Sequence, residues 1–424
     1  DIYPLWPRVM TSCDWYDMTL RIDDRALDED LDALRHADTG PMGAALVTRT
    51  MPQAGGRPDI GPVTAWAARF IISQDLRAER VMLAVADAAG SIPWHFRDEA
   101  TGAPVRIDHH PRLWIDERGP IHGPDALGTP YIAIDRETGW SPDTAHTPTL
   151  SYVPYLFTGS RYRLDELEAA VAWRLASLNP GYREGVPNDQ VRATAWGLRD
   201  LGDAAFIVPD ADPLKAYFTT RLQHQLEVLV ESYVTRRGMA AAGEVEGWIR
   251  GDYGTPGVTA PWQQDFLVIT LATLQRRGVI TAAPLLAWMN NFITGRFLAG
   301  DRGFDPRRGA TYNLKVFNSL TGAPYATWAK VFAESFDGSP LSDQIDGDPR
   351  LATGYAAVAR AALAGLICAN GSPRAVEAYR YLTERMGEAG DRYRRDPTWA
   401  IRPASAPLEF FNARASGVRG VPVE

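Results

Sequence analysis

Lysine is almost missing from this 424-residue chain: it occurs only at positions 215, 315 and 330, so arginine carries nearly all the positive charge. Anion contacts are therefore expected to be planar guanidinium contacts. A basic excess is missing too. The formal net charge of -8 leaves no field to displace counterions from phosphates, which excludes a general nucleic-acid binder. Cysteine is limited to Cys13 and Cys368, too few and too far apart for a disulfide framework or a zinc site. The longest run of small apolar residues, Ala356 to Ala369, is interrupted by Arg360, and no membrane span is expected. The chain has no Gly-x-Ser-x-Gly elbow, no P-loop and no dinucleotide fingerprint between a strand and a helix. Serine-nucleophile and nucleotide chemistry are set aside, and neither a cofactor nor a metal is expected.

What is present is a sequence dominated by helical periodicity, with 45% hydrophobic residues, enough for a sizeable core. The stretch from Asp143 to Pro180 sets the pattern. Thr147 before Pro148 is a helix-start signal, Pro154 falls inside that helix and should bend it, and Thr158-Gly159-Ser160 ends it. A second helix follows, with Leu164, Leu167, Val171, Leu175 and Leu178 on one face. Similar helical pairs are expected over 63–87, 189–233, 261–297 and 349–386. Residues 1–60 read as an irregular β-containing extension, with strands over Asp14 to Ile22 and Ala44 to Thr50 and a helix over Leu27 to His36. Residues 61–390 read as the helical domain and 391–424 as an irregular tail. Asp1 follows neither an initiator methionine nor a signal sequence, which reads as a processed or trimmed start compatible with a periplasmic or secreted protein. The oligomeric state is not legible.

Five or six helical hairpins with short turns on one side and long polar loops on the other resemble the α/α toroid of carbohydrate-active enzymes. The resemblance is architectural and covers about residues 60 to 390. It implies an (α/α)6 toroid in which inner helices line a funnel and long loops at one end hold a polysaccharide or oligosaccharide. The loops within 55–60, 88–145, 238–259 and 299–311 are expected at that one end.

Four clusters set polar groups beside aromatics, as a saccharide with apolar faces and hydroxyl edges requires. The first is Arg57 with Asp59. The second is His95, Arg97, Asp98 and Glu99, with Asp108, His109 and His110 beyond a turn. The third is Asp143 with His146. The fourth gathers Arg192, Trp196, Arg199, Trp262, Gln264 and Asp265, with Tyr253, Tyr312 and Asn313 as looser members. Each has a plain structural alternative: His146 as a cap, Arg192 and Arg199 as an ion-pair network seven residues apart on one helix face, Asp265 as a carboxylate against a helix dipole. Two chemistries fit. Hydrolysis needs one carboxylic acid and one carboxylate, with Asp59, Glu99 and Asp265 as candidates. β-Elimination would use His146 or Tyr312 as base, with Arg192 or Asn313 against a uronate carboxylate. A glycan-binding or assembly module without catalysis is the third reading.

Overall fold

The computed structural model describes residues 16–52, 56–116, 131–133, 138–178, 180, 190–235, 243–251, 255–336, 354–386 and 390–403. Cys13, Tyr253 and the tail beyond 403 lie outside the described residues. The chain is mainly helical with little sheet.

Helix α1, Asp24–His36, begins at Asp23, whose carboxylate caps the Arg25 amide. Five hairpins follow. Helix α2 (Ala65–Ser73) turns through Gln74 into α3 (Leu76–Asp87); α4 (Tyr152–Thr158) turns through Gly159 into α5 (Arg161–Ser177). Next come α6 (Val191–Ile207) with α7 (Pro213–Val230), and α8 (Pro261–Arg276) with α9 (Ala283–Leu298). After α10 (Trp328–Phe336), the last hairpin is α11 (Tyr355–Asn370) with α12 (Pro373–Met386).

The hairpins pack in two layers. Helix α8 lies between α6 and α11, and each of the three packs on its own hairpin partner, α9, α7 and α12 respectively. Burial follows that arrangement. Most side chains of α6, α8 and α11 are buried, whereas α7 and α12 bury only a stripe. One hydrophobic core runs from Tyr16 to Ile401. The 390–403 segment belongs to it, since Trp399 stacks on Phe266 at 5.2 Å.

The N-terminal region differs from expectation. Its expected strands are single bridges, Tyr16 to Ile401 and Thr50 to Ser141. Left-handed φ values of 65° at Met42 and 46° at Ala45 turn the chain where an extended run was expected. The short strands lie elsewhere: Trp114–Asp116 pairs in parallel with Tyr131–Ala133, and Val258–Thr259 antiparallel with Leu314–Lys315. Helix α4 starts at Tyr152, not at Thr147. Pro154 then sits at the third helical position, where its missing amide breaks no hydrogen bond and the helix need not bend.

The loops also separate. Arg174, near the C-terminus of α5, bonds the carbonyl of Ala193 at the N-terminus of α6, so the two helices run antiparallel. Lys215 at the start of α7 bonds the carbonyls of Phe206 and Val208 at the end of α6. The N-termini of α5 and α7 therefore lie at the end opposite the N-terminus of α6. The turn over 97–109 shares a cavity with Arg161, Asp212 and Leu214, which places it at that opposite end. The expectation that all of 88–145 lies at one end fails because its two halves go to different ends.

Candidate functional site

The N-termini of α6, α8 and α11 converge. The Arg192 amide of α6 donates to Gln263 Oε1 of α8 at 3.0 Å, and Trp262 of α8 packs on Tyr355 of α11 with ring centroids 5.7 Å apart. None of these three helices has a side-chain cap; their N-cap residues are Gln190, Ala260 and Gly354. Of the other hairpin helices, α2, α3 and α7 are capped by Thr64, Asp75 and Asp212, whereas α4, α5 and α9 also lack a side-chain cap. Three dipoles thus direct partial positive charge toward one place, and their N-cap side chains set no carboxylate or hydroxyl against it.

Into that place the turn over 143–147 brings His146. Asp143 Oδ1 accepts the Ala145 amide at 2.6 Å and lies 2.9 Å from His146 Nδ1. Beside an ionised carboxylate, Nδ1 carries the proton and Nε2 the lone pair. Nε2 is buried and has no hydrogen-bond partner. Burial lowers the His146 pKa, and the Arg192 and Arg57 guanidinium groups lower it further against the raising effect of Asp143. The imidazole is therefore neutral at pH 7. Burial alone would raise Asp143, but the hydrogen bond to His146, the Ala145 amide and the Arg192 charge bring it below the usual carboxylate range.

Three guanidinium groups hold the turn by its carbonyls. Arg174 bonds Thr144 O and, at 3.2 Å, Thr147 Oγ1; Arg199 donates to Thr147 O at 2.7 Å; Arg57 donates to His146 O at 3.4 Å. Gly197 makes room for Arg174, since a Cβ there would stand 2.7 Å from its Nε. An aromatic wall adjoins the turn. Tyr312 stacks on Trp262 at 5.7 Å, and the Arg192 guanidinium lies 5.1 Å from the centroid of the same indole.

The sequence candidates fall into three sets. Arg57, His146, Arg192, Trp262 and Tyr312 are brought together, with Asn313, half-buried and with Oδ1 unpartnered, next to Tyr312 in sequence. Asp59, Trp196, Arg199, Gln264 and Asp265 are structural supports. Asp59 is buried, 2.7 Å from Arg57 Nε, and accepts the Thr48 amide at 3.0 Å. Trp196 stacks on Phe266 at 4.7 Å. Arg199 is fully engaged by Asp200, Gly61 O and Thr147 O. Gln264 ties the Ile249 amide and carbonyl to α8. Asp265 is buried against Arg296 of α9; burial lifts its pKa to about 6 while the guanidinium opposes the rise, so it is a carboxylate at neutral pH without being a free one. The third set lies at the opposite end: His95 pairs with Glu166 at 2.7 Å, Arg97 donates to Gly102 O, and Glu99 is exposed in the turn.

Arg174 and Tyr355 are part of the site without having been singled out. Arg174 sits in an otherwise apolar helical run and Tyr355 opens an alanine-rich helix, and neither carries a motif. No family model, no curated protein and no solved structure matches this chain.

Proposed function

We propose that this chain is a carbohydrate-active enzyme that cleaves acidic polysaccharide by β-elimination, with His146 as the base, and that its two helical layers are part of an α/α toroid. The observation that carries this reading is the neutral His146, oriented by Asp143, with an unpartnered Nε2 where the uncapped N-termini of α6, α8 and α11 meet Arg57 and Arg192.

The chemistry follows from the charges. A proton next to a carboxylate becomes acidic only when the carboxylate charge is neutralised, and Arg192 with the three helix dipoles supplies that field. Nε2 takes the C5 proton of a uronate, the C–H electrons form the C4–C5 double bond, and the C4 oxygen leaves and takes up a proton from water. Asp143 stabilises the imidazolium that forms. Tyr312, half-buried and stacked on the buried Trp262, offers a flat face to a sugar ring. Because Nε2 is out of contact with solvent, productive binding has to shift the side chains that cover it.

Hydrolysis would need two free carboxyl groups, and Asp59 and Asp265 are both committed to buried ion pairs. Incubation with a panel of neutral and uronate-containing polysaccharides tests the proposal. New reducing ends with ultraviolet absorbance of an unsaturated uronate are expected from the acidic members. Reducing ends without absorbance mean hydrolysis, and neither signal across the panel means a binding module.

A further inference from the structure

At the opposite end of the helices a separate cavity of about 480 Å³ opens between the 97–109 turn and the starts of α5 and α7. That volume is in the range of small-molecule sites, about 300–1,000 Å³. Its wall includes Glu168, whose side chain is 2% exposed and whose Oε1 accepts no hydrogen bond. A buried carboxylate oxygen without a donor is costly, so this one is in want of a partner.

The charges around Glu168 identify what is missing. Three carboxylates share one guanidinium: Arg161 lies 2.8 Å from Asp165, 3.7 Å from Glu168 and 3.4 Å from Asp212. Of the other basic groups of the wall, Arg97, Arg106 and His109, only Arg106 is paired with a carboxylate among the described residues. Arg97 donates to Gly102 O, and Arg106 is held by Asp108 at 2.5 Å. Asp98 is taken by His110 at 2.9 Å, and Tyr155 of α4 faces Glu168 without neutralising it. The site is short of positive charge, and a donor is needed at Oε1. Among the described residues no three His, Cys, Asp or Glu side chains converge as metal ligands do, so the carboxylates are spread too widely for a metal ion and suit a larger organic cation.

We propose that this cavity binds a small primary ammonium compound, an aliphatic diamine or an amino sugar, whose ammonium group donates to Glu168 Oε1 in place of the missing partner once the side chains that cover that buried atom shift. Burial, with Asp212 and Asp165 and against Arg161 and Arg97, pushes the Glu168 pKa up to about 7 in the free protein. An ammonium group at Oε1 favours the ionised carboxylate. Binding at pH 7 therefore expels about half a proton per site, the fraction held by a group titrating at that pH.

Isothermal titration of the whole chain with putrescine, glucosamine and N-acetylglucosamine, in buffers of different ionisation enthalpy, tests this. Saturable binding of putrescine or glucosamine with proton release is expected, with no binding of N-acetylglucosamine, which lacks the charge. Putrescine alone would identify an aliphatic amine and glucosamine alone a hexosamine. Glu168→Gln should weaken binding at least tenfold with the melting transition retained, and Arg161→Gln, which removes the competing cation, should strengthen it severalfold. Should Glu168→Gln fail to fold, Arg161→Gln decides: tighter binding supports the site and unchanged binding overturns it. No binding of either amine, or wild-type affinity in a folded Glu168→Gln variant, also overturns it.

Discussion

His146 Nδ1 stands 2.9 Å from Asp143 Oδ1 within a four-residue turn, and this contact alone decides which imidazole nitrogen carries the lone pair. His146→Ala is expected to lower kcat on the responsive glycan by about 10² to 10⁴-fold, the usual contribution of a positioned base. Asp143→Asn should lower it as well, while binding of an acidic oligosaccharide changes little. A His146→Ala variant with near-normal turnover would remove the histidine from the chemistry.

Arg192 is buried, and its guanidinium lies beside the Trp262 indole, so its charge reaches the site through a fixed plane. Arg192→Lys keeps a charge but loses the planar fork, and a drop of about 10-fold or more in kcat/KM is expected on uronate substrates. Measuring the same variant on a carboxyl-reduced glycan checks the assignment, because the penalty should vanish there.

The direction of the His146 shift sets the acid limb of the pH profile. Its pKa is held below the ordinary histidine value of 6.5, so the base stays unprotonated as pH falls through that value and kcat/KM should decline only below it. The same shift makes folding depend on pH. The unfolded chain protonates this imidazole near 6.5 and the native state resists, so the unfolded state binds more protons and stability falls as pH drops below about 6.5. Thermal melts of the wild type and His146→Gln between pH 5 and 8 read this, and the gap between the two should change in that window.

Glu168 has the opposite sign. Its native pKa of about 7 stands above the unfolded value of 4.5, so the native state holds the extra proton and stability is lost as pH rises through that interval. Glu168→Gln removes the dependence. The variant should melt above the wild type at pH 8 and lose that advantage by pH 4.5.

Asp265 and Arg296 form a fully buried pair between α8 and α9, away from any open surface. Asp265→Asn leaves the guanidinium without its counter-charge, and a loss of about 3–5 kcal/mol in unfolding free energy is expected. Chemical denaturation measures it. Full stability with abolished catalysis would instead return Asp265 to the chemistry.

The hairpins were legible because helical periodicity is local: Leu164, Leu167, Val171 and Leu175 report one face whatever surrounds them. The expected buried strand over 44–50 failed because the chain takes left-handed turns at Met42 and Ala45; Gly40, Pro41 and Gly43 mark the first of these in the sequence, and nothing marks the second. The site was half legible. His146 with Asp143 and Arg192 with Trp262 are each near neighbours on a turn or a helix end, but their meeting is tertiary. Asp59, Asp265 and Arg199 looked the same in the sequence, a charge beside an aromatic. Only the position of Arg57, Arg296 and the Thr147 carbonyl shows their charges to be committed internally. Arg97, Asp98 and His109 of the second sequence cluster do line the cavity at Glu168, but Glu168 itself gave no signal, since a glutamate in a helix next to alanines reads as a solvated position.

β-Elimination here requires His146 Nε2 to remove a proton beside a neutralised carboxylate. Its most direct test follows ultraviolet absorbance and new reducing ends together for the wild type and for His146→Gln, across uronate-containing polysaccharides. One unsaturated uronate per new reducing end in the wild type, and neither signal in a folded His146→Gln, is the predicted result. Reducing ends without absorbance, or absorbance undiminished in His146→Gln, would contradict it.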